Sequence, residues 1–350
     1  MAGRWREGRT RVSLPEMILT ALLLAAAAPQ PSPLKGFGDW AVGCDNGRAC
    51  HAVGLMPESF PEDALTMSVR RGPEAGARAA IAFGTRGETQ AAILIADGKP
   101  LPARLAEDQE GSLAVAAADA PAVLAAMRTA AEFELRRPDG TSLGRVSLKG
   151  VSAALLYMDE QQRRIGTVTA LVRPGTKPAS AVPPPPPLPR IAAPAGSSRK
   201  ASLAARDLAA LRKRFKCTID EVGGPDEQDV QPLGPDKLVL LACGSGAYNI
   251  SYVPIVVPAK GGVAAARAAR FDTHESWWEG EGKPILINAG FDPASATLVS
   301  FSKARGLGDC GSTRSYVWDG ARFRLVEQAD MDECRGSTDY ITTWRAEVRR

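Results

Sequence analysis

Histidine is nearly absent: the chain of 350 residues has two, His51 and His274. Neither stands in a context that marks the base of a nucleophile, and His274-Glu275 lacks the second histidine of a zinc-protease helix. His51, beside Cys50, reads as a surface-loop residue. An excess of one charge is also missing. The 43 Lys and Arg residues face 39 Asp and Glu, for a formal net charge of +4, which argues against a nucleic-acid binder. The longest apolar run, Met17–Ala28, has 12 residues, short of the roughly 20 that span a bilayer. Gly-x-Ser-x-Gly and Cys-x-x-Cys do not occur. A composition of 45% hydrophobic and 23% charged residues is that of a globular protein, and the length fits two domains of roughly 150 residues each.

What is present begins with an export pattern. Arg4, Arg6, Arg9 and Arg11 precede the apolar run, and small residues close it, so residues 1–28 read as a signal peptide and 29–34 as a short tail. No cysteine follows the run, which argues against a lipid anchor. Removing this segment takes four arginines and two glutamates, lowering the net charge from +4 to +2. The destination is then the periplasm or beyond, and the six cysteines become legible as disulfides. Nearest-neighbour pairing gives Cys44–Cys50, Cys217–Cys243 and Cys310–Cys334, with cross-pairing among the last four as the competitor. A loop of ~25 residues closed this way is worth about 3 kcal/mol in the chain-entropy account. No metal or cofactor is expected, since no Cys/His pair has zinc spacing.

Residues 174–202 (PGTKPASAVPPPPPLPRIAAPAGSSRKAS) are too rich in proline for helix or sheet and read as a semi-rigid linker. Before it, residues 35–173 read mainly as strands: Leu65–Arg71, Ala80–Phe83, Ala91–Ala96, and a hairpin of Phe133–Arg137 with Arg145–Leu148. Short helices are expected at Pro121 and at Ser152–Met158. After the linker, residues 203–350 open with a helix capped by Ser202, with Leu203, Leu208, Leu211 and Phe215 on one face. Strands follow at 237–242, 248–257, 284–289, 297–302, 315–318, 322–327 and 340–348. Asp319-Gly320 reads as a two-residue hairpin turn, and Gly290-Phe291-Asp292-Pro293 as another turn. The expected fold is mainly β (α+β): two antiparallel, sandwich-like domains with a few short helices.

Motif matches dissolve on inspection. Gly306-Leu307-Gly308-Asp309-Cys310-Gly311 fits G-x-G-x-x-G but leads into a strand-like segment instead of the helix a nucleotide loop needs. Ser300-Phe301-Ser302-Lys303 fits S-x-x-K with strand periodicity, whereas that chemistry places Ser and Lys on one helix face. Trp277-Trp278 can stack on a sugar or anchor a partner. Asp309, Asp332, Glu333, Arg335 and Asp339 gather around Cys310 and Cys334, with Lys303 and Arg305 nearby. Together these residues form the candidate contact surface. A hydrolase using Asp309, Asp332 or Glu333 is one alternative, and a lysozyme-type inhibitor another.

Phe37-Gly38-Asp39-Trp40-Ala41-Val42-Gly43-Cys44-Asp45, closing at Cys50, and Val146–Leu155 resemble the invasion-associated locus B family of exported proteobacterial proteins. Val151 stands where that pattern has Phe. Asn288-Ala289, Phe291-Asp292-Pro293, Lys303–Gly311, Val317–Gly320, Phe323-Arg324-Leu325, Glu333–Gly336 and Thr343–Ala346 complete a resemblance to the family called domain of unknown function 1176. The resemblance implies a β-sandwich topology and an exported, envelope-located protein, and carries over no catalytic residues. The expected role is a non-enzymatic binding or interaction module, its partner an envelope protein or glycan, with no nucleic acid and no membrane span after signal cleavage.

Overall fold

The computed structural model describes residues 28–58, 65–84, 92–108, 111–217, 229–274 and 283–350. In the first half, apolar alternation sets strands β1 (Lys35–Phe37), β2 (Trp40–Cys44), β3 (Cys50–Gly54), β4 (Thr66–Arg71), β5 (Ala79–Gly84), β6 (Ile93–Ala96), β7 (Lys99–Pro100), β8 (Leu105–Glu107), β9 (Leu113–Val115), β10 (Glu132–Arg136) and β11 (Ser142–Ser147). They form two antiparallel sheets, ordered β1-β2-β3-β4-β5-β9-β8 and β11-β10-β6-β7. Helix α1 (Ala120–Met127) carries Pro121 in its first turn, and α2 (Val151–Gln161) follows the left-handed Gly150. Trp40, Phe83, Met127, Phe133 and Leu155 meet in one core that unites both sheets and both helices.

The β2–β3 hairpin departs from alternation, because every residue of both strands is buried. A strand with one face in water shows polar residues at every second position. Trp40, Val42, Cys44 and Ala52 point into the first core, and the Cys44–Cys50 disulfide joins residues directly opposite in the register. On the other face, Ala41, Val53 and Leu55 pack against Cys310, Met331 and Ile341 from the far end of the chain. Gly43 permits this closeness: a Cβ there would lie 2.6 Å from Leu34 Cδ2 and 2.9 Å from Ile341 Cγ2. His51 is therefore a buried strand residue, since the covering layer removes the solvent its sequence neighbourhood implies.

The second half contains β12 (Arg190–Ala192), α3 (Ala205–Phe215), β13 (Asp229–Leu233), β14 (Asp236–Ser245), β15 (Ile250–Val257), β16 (Arg267–Ala268), β17 (Leu286–Ile287), β18 (Gly290–Asp292), β19 (Thr297–Lys303), β20 (Gly311–Trp318), β21 (Phe323–Met331), β22 (Ile341–Arg345) and β23 (Glu347–Arg349). One sheet runs β13-β14-β15-β16, with β17 also on β15; the other runs β18-β19-β20-β21-β22. Leu240, Leu298, Tyr316 and Phe323 fill the core between them. Leu211 of α3 packs on Val239, Leu241 and Val253, and the Cys217–Cys243 disulfide fastens the helix end to β14. The fold is mainly β, with antiparallel sheets and short helices.

Four local expectations are corrected. The proline-rich stretch is not free of regular structure: Ala179–Ala181 form a short turn of helix, and β12 pairs in parallel with β23. Ser202 does not cap α3, whose cap position is Ala204, two residues further on; the Ser202 carbonyl instead accepts Lys237 Nζ at 2.8 Å. The Asp319 turn is longer than two residues because Asp319 Oδ1 accepts both Ala321 N–H and Arg322 N–H at 2.9 Å. Gly290–Asp292 is strand, and the turn falls after it, where the Asp292 carboxylate accepts Ala294 N–H at 3.0 Å and Ser295 N–H at 3.1 Å.

Candidate functional site

The Cys310–Cys334 disulfide brings the loop after β19 against the loop after β21. One side of this pair faces the β2–β3 hairpin. Arg335 reaches across, donating from Nη2 to Asp39 Oδ1 at 2.5 Å and from Nε to the Met56 carbonyl at 2.7 Å. Burial alone would raise the Asp39 carboxyl, but the Arg335 and Ser147 donors outweigh it and hold the group below its usual range. Asp339 pairs with Arg70 and lies 3.3 Å from His51 Nε2. Burial opposes its ionisation too, and the His51 and Arg70 contacts prevail, so it is also held low. His51 is pushed down, by burial before all else. Arg345 pairs with Asp45, and its N–H donates to Asn46 Oδ1 at 2.8 Å. Asp309, 2% exposed, pairs with Arg305 and accepts Gly336 N–H at 2.7 Å; the Arg305 donor chiefly keeps its carboxyl low.

The other side opens on a cleft of about 590 Å³ at the end of the two facing sheets. Lys303 of β19, Gly311 of β20 and Met331 of β21 share one cross-strand row there. Gly311 (φ +137°) is obligatory, since a Cβ would fall 2.0 Å from the Ser302 carbonyl oxygen. Asp330 is fixed by three donors: Ser312 Oγ at 2.7 Å, Thr343 Oγ1 at 2.7 Å and Gln328 Nε2 at 2.9 Å. Gln328 in turn accepts Arg314 Nε at 2.9 Å. On the opposite wall, left-handed Asn288 donates to Asn249 Oδ1 at 2.9 Å and to the Phe301 carbonyl at 3.0 Å. Asn249 donates to the Lys303 carbonyl at 2.8 Å, so two asparagines stitch the sheets together beside the cleft. Asp332 lines it as well, its carboxyl raised by burial and by Asp330 and Glu333. Lys303 Nζ lies 5.4 Å from the centre of the Phe301 ring. A second hollow of about 550 Å³ is lined by Arg270, His274, Asp319 and Arg322.

The residues singled out from the sequence therefore divide. Lys303 and Asp332 line the cleft, and Glu333 is exposed beside them. Asp309 and Arg335 are buried and held in ion pairs, Arg305 is bound to Asp309, and Asp339 belongs to the junction between the halves. Trp277 and Trp278 lie outside the described residues. Among the described residues, no group of three or more His, Cys, Asp or Glu side chains could hold a metal ion, and no helix is long and apolar enough to cross a membrane. Asn249, Asn288, Arg314 and Asp330 escape a reading by motif. Asn288 stood within the family pattern, which was its available signal.

A crystal structure of invasion associated protein b from Bartonella henselae matches 38% of this chain and 99% of its own, at 17% identity and a TM-score of 0.29. The Escherichia coli K12 protein called uncharacterized protein YpfG is 31% identical over a 354-residue alignment, which spans 94% of this chain and 96% of that protein. The profile of the family described as protein of unknown function (DUF1176) matches residues 34–347, so the chain with this paired junction and open cleft belongs to that family.

Proposed function

We propose that this is an exported protein of the cell envelope, working in the periplasm as a non-enzymatic binding module built from two β-rich domains, 35–173 and 203–350. The observation that carries the reading is the cleft: charged side chains of both signs line a concave space between ordered walls, as binding sites do. Three disulfides fit an oxidising compartment, in keeping with the signal-like N-terminus. The raised carboxyl of Asp332, beside the exposed Glu333, favours a second reading, a hydrolase with an acid–base carboxylate pair. Asp309 is a poor member of such a pair because Arg305 and Gly336 occupy its oxygens. Native mass spectrometry of the protein after incubation with an envelope extract decides between them. An added mass on the wild type, lost in a Lys303→Ala/Asp332→Asn double variant, with the extract unchanged, is the expected result. Turnover of an extract component that Asp332→Asn alone abolishes would replace binding with hydrolysis.

A further inference from the structure

Leu307 is the most exposed large apolar side chain among the described residues, at 75%. One leucine in water is ordinary; the frame that holds this one is not. Its loop closes as a turn, with Gly308 N–H donating to the Arg305 carbonyl and Ala304 N–H to the Cys310 carbonyl, both at 3.0 Å. Two tyrosines from other segments grip the loop backbone. The Tyr248 hydroxyl donates to the Ala304 carbonyl at 2.9 Å, and the Tyr340 hydroxyl to the Gly308 carbonyl at 3.1 Å. Arg305 is bound to buried Asp309, and the Cys310–Cys334 disulfide fastens the base. Aromatic rings fill the flanks: a Cβ on Gly306 would stand 3.4 Å from the Tyr248 ring, and one on left-handed Gly308 3.5 Å from the Phe301 ring. These contacts hold the backbone on both sides of Leu307 and leave its side chain to solvent. A loop already ordered in this way loses little further freedom on binding, which favours an anchor side chain. The accessible charge beside the tip is positive. The Lys303 stem lies against Gly308, and its Nζ makes no ion pair among the described residues. Arg305 is half-exposed while Asp309 is not, and Glu333 on the facing loop reaches toward Gly36 of β1 instead.

A convex apolar tip with a cationic rim is complementary to a concave apolar pocket edged by carboxylates. One leucine offers too little apolar area to hold a bilayer, so the surface fits a protein. We propose that Leu307 is the anchor of an interface with a different protein, seated in such a pocket. The inter-sheet cleft takes no part, and Leu307→Ala leaves its lining intact, so failure here is separable from failure of the Lys303→Ala/Asp332→Asn test. Leu307→benzoylphenylalanine in the full chain, illuminated in the cells that make it, captures the neighbour of the tip; the same photo-reactive residue at exposed Ile165 is the control. The captured protein, once purified, is titrated against the wild type and its variants. A protein adduct specific to position 307 is expected. Leu307→Ala should then weaken binding about 30-fold or more, the scale of a buried anchor, and Leu307→Met should restore most of that loss. Raising salt from about 0.05 to 0.5 M should slow association severalfold. Adducts no different from those at Ile165, or adducts only with lipid or with a second copy of this chain, would overturn the proposal. So would a captured protein that binds wild type and Leu307→Ala equally. Association indifferent to salt would overturn the carboxylate edge.

Discussion

The two faces of the Cys310–Cys334 loops are built from the same short stretches of chain and treat charge in opposite ways. Toward the β2–β3 hairpin, Arg335, Asp39, Asp339, Arg70, Asp45 and Arg345 are matched one to one, and Asp309 is matched within its own loop. Toward the cleft, Lys303 and Asp332 line open space without such matching. Charges buried in an interface must be paired because desolvation outweighs most of what a lone ion gains, whereas a charge facing water can wait for a ligand. The junction thus behaves as structure and the cleft as surface, although they lie only a few residues apart in sequence.

Arg335→Ala should break the comparison most severely. It leaves Asp39 without its cation in a largely desolvated place, and losing one partner of such a pair costs about 3–5 kcal/mol, read as a shift of the urea midpoint. Removing the Cys310–Cys334 bond by a double alanine substitution should cost roughly 3 kcal/mol, measured the same way. Acid should destabilise the fold in two stages. His51 and His274, held low by burial, accept protons more readily unfolded than folded. Their contribution is whole at neutral pH and declines as the pH falls below about 6.5. Asp39, Asp309 and Asp339, held low by their partners, contribute fully above about pH 4 and lose that contribution below it. Melting curves from pH 8 downward should show both stages, with the upper one reduced in His51→Gln. At the small end, Lys303→Ala and Asp332→Asn should each change stability by less than about 0.5 kcal/mol; a larger loss would mean the cleft charges are structural after all.

Much of this architecture could be read from sequence, because strand alternation, turn residues and proline positions act locally. Strands β4 to β6, the β10–β11 hairpin and helices α1 to α3 fall within a few residues of their expected places. The junction could not be read in this way. Ala41, Val53 and Leu55 look like ordinary strand residues, and only the folded chain shows that Ile341 and Met331 cover them. The Asp330 network was hidden for a different reason. Counting back from the Asp319 turn places Ser312 opposite Ala329, but a bulge between Ser315 and Tyr316 shifts the register and sets it opposite Asp330. Nothing in the residue types around Ser315 announces that extra residue. The clustering of Asp309, Arg335 and Asp339 was legible, but which side of the loop each would face depended on the hairpin arriving from the other end of the chain.

The closing pair of strands has a consequence in time. β12 and β23 meet with Arg190 donating to Glu347 at 3.1 Å, and the Ser32 amide donates to the Thr343 carbonyl at 3.0 Å. The first half holds the residues of its own core and can collapse as soon as it is made, but the outer face of β2–β3 stays bare until the last strands are delivered. During that interval an apolar hairpin is open to any other chain nearby. Synthesis that stops short of Ile341 makes the interval permanent, so residues 341–350 decide whether that face is covered or stays open as the seed of an aggregate.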